Sequence, residues 1–395
     1  MRIRTPTGAF VLSRESVFSF VLSVSVLVSL GACGDDAPDM PLPGMDASPD
    51  SDAGSVGPQP IVAEPDTWTW VDFPNARCAN GETTGIGVNW NPGATELLIF
   101  FEGGGACWDE ATCYGEEGSD PLASNIESGY TAANFELDRG MLFRHAFSRR
   151  DENNSMRNFN MVYVPYCTGD VHGGTATQTY GGRETRHVGA LNVAAYMERI
   201  AVTLPDTSYV MVTGRSAGGF GTLASFNRVA TTFPAARVDF IDDSGPAPAN
   251  GALPAPLYES WVPQWGLSED VIPADCVGCV SSLDLLFPYY ADKYPMSRFG
   301  LSSFSQDGVI AFFFQQEPMA FETMLKRILQ DHFVSRDNLH FFIVPGDLHT
   351  MYANWTTITS ESTTFQQWAN QLITDDAAWG SIAPADFLSE GGSED

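Results

Sequence analysis

The sequence predicts an α/β fold in a single domain, built on one doubly wound, mostly parallel sheet. Three observations predict it: short, near-continuous apolar runs end in Gly- or Asp-rich turns, stretches of helical spacing alternate with them, and no internal repeat interrupts the alternation. At 395 residues with 44% hydrophobic content, the chain can bury a core of ordinary size and is too apolar to be disordered throughout.

The predicted strands follow in order. Residues 97–101 lead into Glu102 and Gly103-Gly104-Gly105, and 161–164 into Pro165-Tyr166-Cys167. Residues 209–213 lead into Gly214-Arg215-Ser216, and 238–241 into Asp242-Asp243-Ser244. The extended stretch 299–304 precedes Asp307, and 341–344 lead into Pro345-Gly346-Asp347-Leu348-His349. Unbroken apolar runs of this length mark parallel strands buried on both faces. Helical spacing fills 188–202, 217–230, 309–314 and 318–333. Such sheets gather reactive groups at the carboxyl ends of their strands.

The first 66 residues stand outside that pattern. Arg2, Arg4 and Arg14 precede an apolar run over 17–30 that ends at Gly31-Ala32-Cys33. The run is shorter than the roughly 20 residues a spanning helix needs, so 1–32 read as a secretory signal. Its ending resembles a bacterial lipobox, which makes Cys33 the expected lipidation site and the lipid the only expected link to a membrane. From 34 to 66 there are seven Pro, eight acidic residues and no Lys, Arg or Cys, a composition that buries too little to fold. Residues 33–66 are therefore expected to tether a domain at 67–395 to the cell envelope, facing the periplasm or the cell surface.

Charge narrows the partners. The formal charge is −29; loss of the signal segment, with three Arg and Glu15, makes it −31, and the eight acids of the tether leave −23 on 67–395. A polyanion lacks the basic footprint that nucleic-acid affinity requires.

Six cysteines remain beyond Cys33: Cys78, Cys107, Cys113, Cys167, Cys276 and Cys279. An even number in an exported chain indicates disulfides, with 15 pairings open on the sequence alone. Cys276-Val277-Gly278-Cys279 has no second pair at zinc-ribbon spacing, so a structural disulfide is expected rather than a metal site. No cofactor motif is present; Gly181-Gly182 and Gly218-Gly219 lack the Gly-Lys-Ser/Thr of a phosphate loop.

Gly214-Arg215-Ser216-Ala217-Gly218 is a G-x-S-x-G between a predicted strand and a predicted helix, the context in which this motif presents a nucleophile. Ser216 is the candidate. Backbone donors for an oxyanion are expected from Ala217 and from Gly104 or Gly105. Of six histidines, only His332, His340 and His349 follow Ser216, and His349 alone lies in a turn beyond a strand end. Asp307 is the preferred acid, in the chain order Ser, acid, His. Asp243 is the alternative, more suited to bracing loops; Asp347 is too close to His349 to orient its ring from the far side.

Together these motifs resemble the pectin acetylesterases and Notum-type carboxylesterases, which are α/β hydrolases. The resemblance rests on Phe101-Glu102-Gly103-Gly104-Gly105-Ala106-Cys107 with Cys113, on Tyr166-Cys167-Thr168-Gly169-Asp170, and on Gly214-Arg215-Ser216-Ala217-Gly218-Gly219. It continues through Asp243-Ser244-Gly245, Ser305-Gln306-Asp307 and His349. It implies Ser216, Asp307 and His349 as the triad, disulfides Cys78–Cys167 and Cys107–Cys113, and by elimination Cys276–Cys279. Where the family often has an aromatic after the oxyanion glycines, Ala106 stands here. Trp108, Tyr166 and Phe220 are candidates to line a pocket, and Asp170 and His172 either to touch substrate or to brace a loop.

The expected function is that of an exported serine carboxylesterase, removing acyl groups, acetyl in the first instance, through an acyl-enzyme. Its partner is an acylated polysaccharide or small acyl ester. Net charge disfavours pectin unless Arg183 and Arg186 reverse the local field. The competing reading is a non-catalytic surface lipoprotein that binds glycan or protein on an esterase-like scaffold.

Overall fold

The computed structural model describes residues 57–389, apart from 117–118, 142–143 and 268–270. Its main sheet contains β1 (Thr69–Arg77), β2 (Thr83–Asn89), β3 (Glu96–Phe101) and β4 (Asn160–Val164). After a separate hairpin, β5 (Ala176–Tyr180) and β6 (Arg183–His187), come β7 (Tyr209–Arg215), β8 (Arg237–Asp243), β9 (Phe299–Phe304) and β10 (Leu339–Val344). The spatial order is β1-β2-β4-β3-β7-β8-β9-β10. From β4 to β10 every pairing is parallel; β1–β2 and β2–β4 are antiparallel. This is the mostly parallel α/β-hydrolase-type sheet that the sequence predicts.

Each predicted apolar run is a strand of this sheet. β1 and β2 lie outside that prediction because their patterns are broken: β1 carries Asp72 and Pro74 with a register shift between Phe73 and Arg77, and β2 is interrupted by Gly85 and Gly87. An edge strand has one free backbone edge, so it tolerates the proline.

The helices are α1 (Glu110–Tyr114), α2 (Ala132–Asp138), α3 (Gly189–Thr203), α4 (Ala217–Thr232), α5 (Ala255–Trp265), α6 (Leu286–Lys293), α7 (Gly308–Phe313), α8 (Pro318–Ile328) and α9 (Phe365–Ile373). The stretch 318–333 predicted as one helix continues past α8 as a π-helical turn, Leu329–Phe333. One sheet face is covered by α3, α4 and α6, through Tyr196, Phe226 and Phe287 among others. The opposite face is covered by α9 and the segment before it, through Tyr352, Trp355 and Trp368. Burial on both faces explains why the strands read as unbroken apolar runs.

The packed body begins earlier than the predicted boundary at 67. Ile61 is buried and its N–H donates to Thr203 Oγ1 at 2.7 Å, while the Asp66 N–H donates to the Trp90 carbonyl at 2.8 Å. One isoleucine anchors a segment whose Pro- and acid-rich composition conceals it. The expected signal segment, Cys33 and residues 34–56 of the expected tether lie outside the described residues.

Cys78 pairs with Cys167, Cys107 with Cys113, and Cys276 with Cys279. The first bond joins the chain just after β1 to the loop just after β4, across 89 residues of sequence. Closing so long a loop restricts the unfolded chain, so replacing both Cys78 and Cys167 by Ala is expected to cost about 2–5 kcal/mol. Urea unfolding of the double variant beside the parent chain measures this directly.

Candidate active site

Ser216 occupies the single residue between β7 and α4, at φ 57° and ψ −122°. A non-glycine residue at positive φ costs on the order of 1–3 kcal/mol and persists only where its surroundings impose it. Here they do: the Ser216 N–H donates to the Asp243 carbonyl at 2.8 Å, and the Ser216 carbonyl accepts from Gly219 at 2.8 Å. A Cβ on Gly214 would lie 2.3 Å from the Gly218 carbonyl oxygen, and one on Gly218 would lie 2.0 Å from that of Phe101. The spacing of glycines around the serine is therefore a packing requirement of the turn.

The loop after β3 lies against this elbow, since a Cβ on Gly103 would fall 3.0 Å from Ser216 Cβ. Its first amide is already committed, with the Gly103 N–H donating to Glu102 Oε1 at 3.0 Å. Gly104 and Gly105 have φ of 150° and 76°, and Gly105 forms an antiparallel bridge with Ala123. Among the described residues, no hydrogen bond engages the N–H of Gly104 or of Ala217, the first residue of α4. The far end of the loop is fixed: the Cys107 N–H donates to the Gly169 carbonyl, its carbonyl accepts from Trp265 Nε1, and its sulfur is bonded to Cys113.

Asp307 and His349 meet at 2.7 Å, carboxylate Oδ2 to ring Nδ1. Asp307 is fully buried and caps α7, its Oδ1 accepting the Val309 and Ile310 N–H groups at 3.0 Å each. A carboxylate so placed keeps the proton on His349 Nδ1, which leaves the lone pair on Nε2. Nε2 is buried and has no hydrogen-bond partner among the described residues, so it is available to a hydroxyl proton.

Asp243 is not the carboxylate beside the ring. It holds backbone instead: Oδ2 accepts the Met351 and Tyr352 N–H groups at 2.8 and 3.0 Å, while Oδ1 accepts from Ser302 Oγ at 3.1 Å. Its own carbonyl holds Ser216, so one residue at the end of β8 carries both the elbow and the His349 loop. Next to it, Ser244 Oγ accepts the Thr350 N–H at 3.2 Å. Asp347 is exposed, and its carbonyl takes the Gly308 N–H at 3.1 Å.

The remaining candidates brace the structure. Asp170 is buried and accepts the N–H groups of His172, Gly174 and Gly189. His172 Nε2 donates to the Glu102 carbonyl at 2.8 Å, and burial pushes the ring's pKa down, keeping it neutral. His332 pairs with Asp284 at 2.7 Å, and His340 contacts Ser381. Among the described residues, Cys107, Cys113 and His187 cluster closely enough to suggest a metal site, but both sulfurs are in a disulfide and offer no thiolate.

Ser216 opens onto an apolar cavity, with Ala217, Phe220, Trp261, Trp265 and Phe313 among its walls. Phe220 was legible beside the motif. Trp108 packs on Trp261 and Tyr166 is buried against His172, as core. Trp261 and Trp265 escaped the sequence reading, although their spacing of four residues places them on one helix face, where their rings stack at 5.4 Å.

Burial raises the Asp243 carboxyl to about 6, so the folded chain retains a proton that an unfolded aspartate releases near 3.8. The group favours folding most below about pH 4, and that contribution declines as pH rises to about 6. Asp243→Asn should remove this slope: from urea unfolding, the stability of the parent relative to the variant should fall by about 2–3 kcal/mol between those limits. An unchanged difference would contradict it.

Comparison with known proteins gives a consistent result. The family model described as Pectinacetylesterase matches residues 68–293, more than half of the chain. Palmitoleoyl-protein carboxylesterase notum2 of Xenopus laevis is 29% identical over 177 residues, which is 42% of this chain and 34% of that protein. Palmitoleoyl-protein carboxylesterase NOTUM of Homo sapiens is 28% identical over 177 residues, 43% of this chain and 34% of that protein. The protein named inactive palmitoleoyl-protein carboxylesterase notum1b, of Danio rerio, is 30% identical over 121 residues, 30% of this chain and 78% of that protein. The chain thus spans about a third of the length of the first two relatives. With the family match covering the glycine loop after β3, the elbow at Ser216 and the loop after β8, the chain belongs to the pectinacetylesterase family.

Proposed function

We propose that the protein is a serine esterase that hydrolyses carboxylic esters through an acyl-enzyme, with Ser216 as nucleophile, His349 as general base and Asp307 as the group that orients His349. The observation that carries this is the Asp307–His349 bond with Nε2 left free, on a loop held by the same aspartate that holds the strained Ser216. His349 takes the Ser216 proton as the oxygen attacks the ester carbonyl. The developing oxyanion is stabilised by the N–H of Ala217 and of Gly104 or Gly105; His349 then protonates the departing alcohol, and water, activated the same way, releases the acid. One relative is named inactive, so family membership alone does not carry catalysis. The Asp307–His349 pair and the strained Ser216 support it.

An acyl group longer than the acetyl first expected suits the apolar walls beside Ser216 better. The cavity beside Ser216 is walled by Phe220, Trp261, Trp265 and Phe313, apolar surface that an extended alkyl chain would bury and an acetyl methyl would barely touch. The relatives named as palmitoleoyl-protein carboxylesterases support the same direction. Pectin is a poor fit. Arg183 and Arg186 pair with Glu127 and Glu184 respectively, so they do not reverse the field of the acidic domain. The three disulfides support export to an oxidising compartment, and we extend this to anchoring through a lipid on Cys33.

Two measurements test the proposal together. Hydrolysis of p-nitrophenyl esters from acetate to palmitate should show kcat/KM rising beyond acetate, and a maximum at acetate would overturn the long-chain assignment. Ser216→Ala should lower kcat by at least about 10³-fold on every ester. Retained turnover would remove Ser216 from its role.

A further inference from the structure

Glu102 and Arg215 sit immediately before the two backbone segments that the esterase reading assigns to the oxyanion. Glu102 precedes Gly103-Gly104-Gly105, and Arg215 is the last residue of β7, next to Ser216. Their side chains meet at 2.6 Å, Arg215 Nε to Glu102 Oε1, and the same oxygen accepts the Gly103 N–H at 3.0 Å. Both are largely shielded, with side-chain exposures of 29% and 17%. The carboxylate raises the Arg215 pKa further, so the guanidinium stays charged.

The rest of Glu102 is held as firmly. Its N–H donates to the Val164 carbonyl at 3.0 Å, and its carbonyl accepts from His172 Nε2 at 2.8 Å. His172 is itself wedged between Phe101 and Tyr166, with ring centroids at 5.0 and 4.8 Å. Glu102 is thus a fixed post on the oxyanion loop, and Arg215 is the arm that ties the elbow to it. Arg215 also lines a separate cavity, shared with Asp138, His145 and Tyr163.

We infer that the Glu102–Arg215 pair is a positioning device for the oxyanion hole, one that sets the spacing between the Gly104 N–H on the loop and the Ala217 N–H on the elbow. The physical reason is geometric. The two donors come from different strands, β3 and β7, and an oxyanion hole works only when both point at one oxygen within a few tenths of an ångström. The strand ladder from Glu96 to Phe101 against Tyr209 to Gly214 stops just short of both segments. Beyond it, the ion pair is the side-chain link between them, and by consuming the Gly103 N–H it also decides which amide is left to face the substrate. Neither side chain touches the reacting atoms in this role. The inference rests on the esterase reading above.

The test uses the purified chain with p-nitrophenyl butyrate and with butylboronic acid, which forms a tetrahedral adduct on a serine nucleophile and so reports the oxyanion geometry. Arg215→Met and Glu102→Gln should each lower kcat by about 10–100-fold with KM changed less than threefold. Each should weaken boronic acid binding by a similar factor, the double variant should be no worse than the weaker single one, and Arg215→Lys should recover part of the loss. Circular dichroism and urea unfolding identify variants that fail to fold; for those, Arg215→Lys and Glu102→Asp carry the test, with a smaller loss in kcat and in boronic acid affinity. Full kcat in folded variants, or a loss confined to KM, would overturn the inference. Fluorophosphonate labelling of Ser216 in the parent chain separates the two outcomes: a labelled, active parent whose variants are unaffected refutes the pair alone, and an unlabelled parent refutes the esterase reading beneath it.

Discussion

The site depends on Asp243. Its carbonyl takes the N–H of Ser216, and its carboxylate takes the N–H groups of Met351 and Tyr352. The elbow after β7 and the loop after β10 belong to strands that are not neighbours, because β8 and β9 lie between them. A residue at the end of β8 is therefore well placed to reach both. Tyr352 adds a second tie, its hydroxyl 2.8 Å from Thr213 Oγ1 on β7. With these bonds made, the strained φ of Ser216 is imposed by its surroundings rather than chosen by the residue.

Around that post the two sheet faces contribute different things. The face covered by α3 and α4 holds the apolar cavity, walled on one side by the aromatics of α5 and α7. The other face holds the Tyr352 segment and the second, more polar cavity reached by Arg215. An ester has an acyl arm and an alcohol arm. The apolar cavity beside Ser216 suits the first.

Much of this was legible in the sequence, for physical reasons. Buried parallel strands leave near-continuous apolar runs, and three of those runs lead into turns that hold Ser216, Asp307 and His349, so these candidates could be ordered along the chain. Asp243 was legible as a brace because an acid at a strand end that does not fit the triad still needs a partner. What was hidden depends on contacts between distant segments. The Trp261–Trp265 wall looks like any amphipathic helix face until the cavity exists, and Glu102 looks like a turn residue until Arg215, 113 positions later, folds against it. β1 and β2 were hidden by Pro74 and by Gly85 and Gly87, and the anchoring of Ile61 by the acidic, proline-rich residues around it.

The central claim is that Ser216, the free Nε2 of His349 and the amides of Gly104 and Ala217 converge on one reacting carbon beside the apolar cavity. A crystal structure of the protein inactivated with an alkyl phosphonofluoridate bearing a C12 chain tests it most directly. The predicted result is phosphorus bonded to Ser216 Oγ, the phosphoryl oxygen within hydrogen-bond distance of the Ala217 N–H and of a Gly104 or Gly105 N–H, and the alkyl chain among Phe220, Trp261 and Phe313. Reaction at another residue, or a chain that leaves the cavity empty, would contradict it.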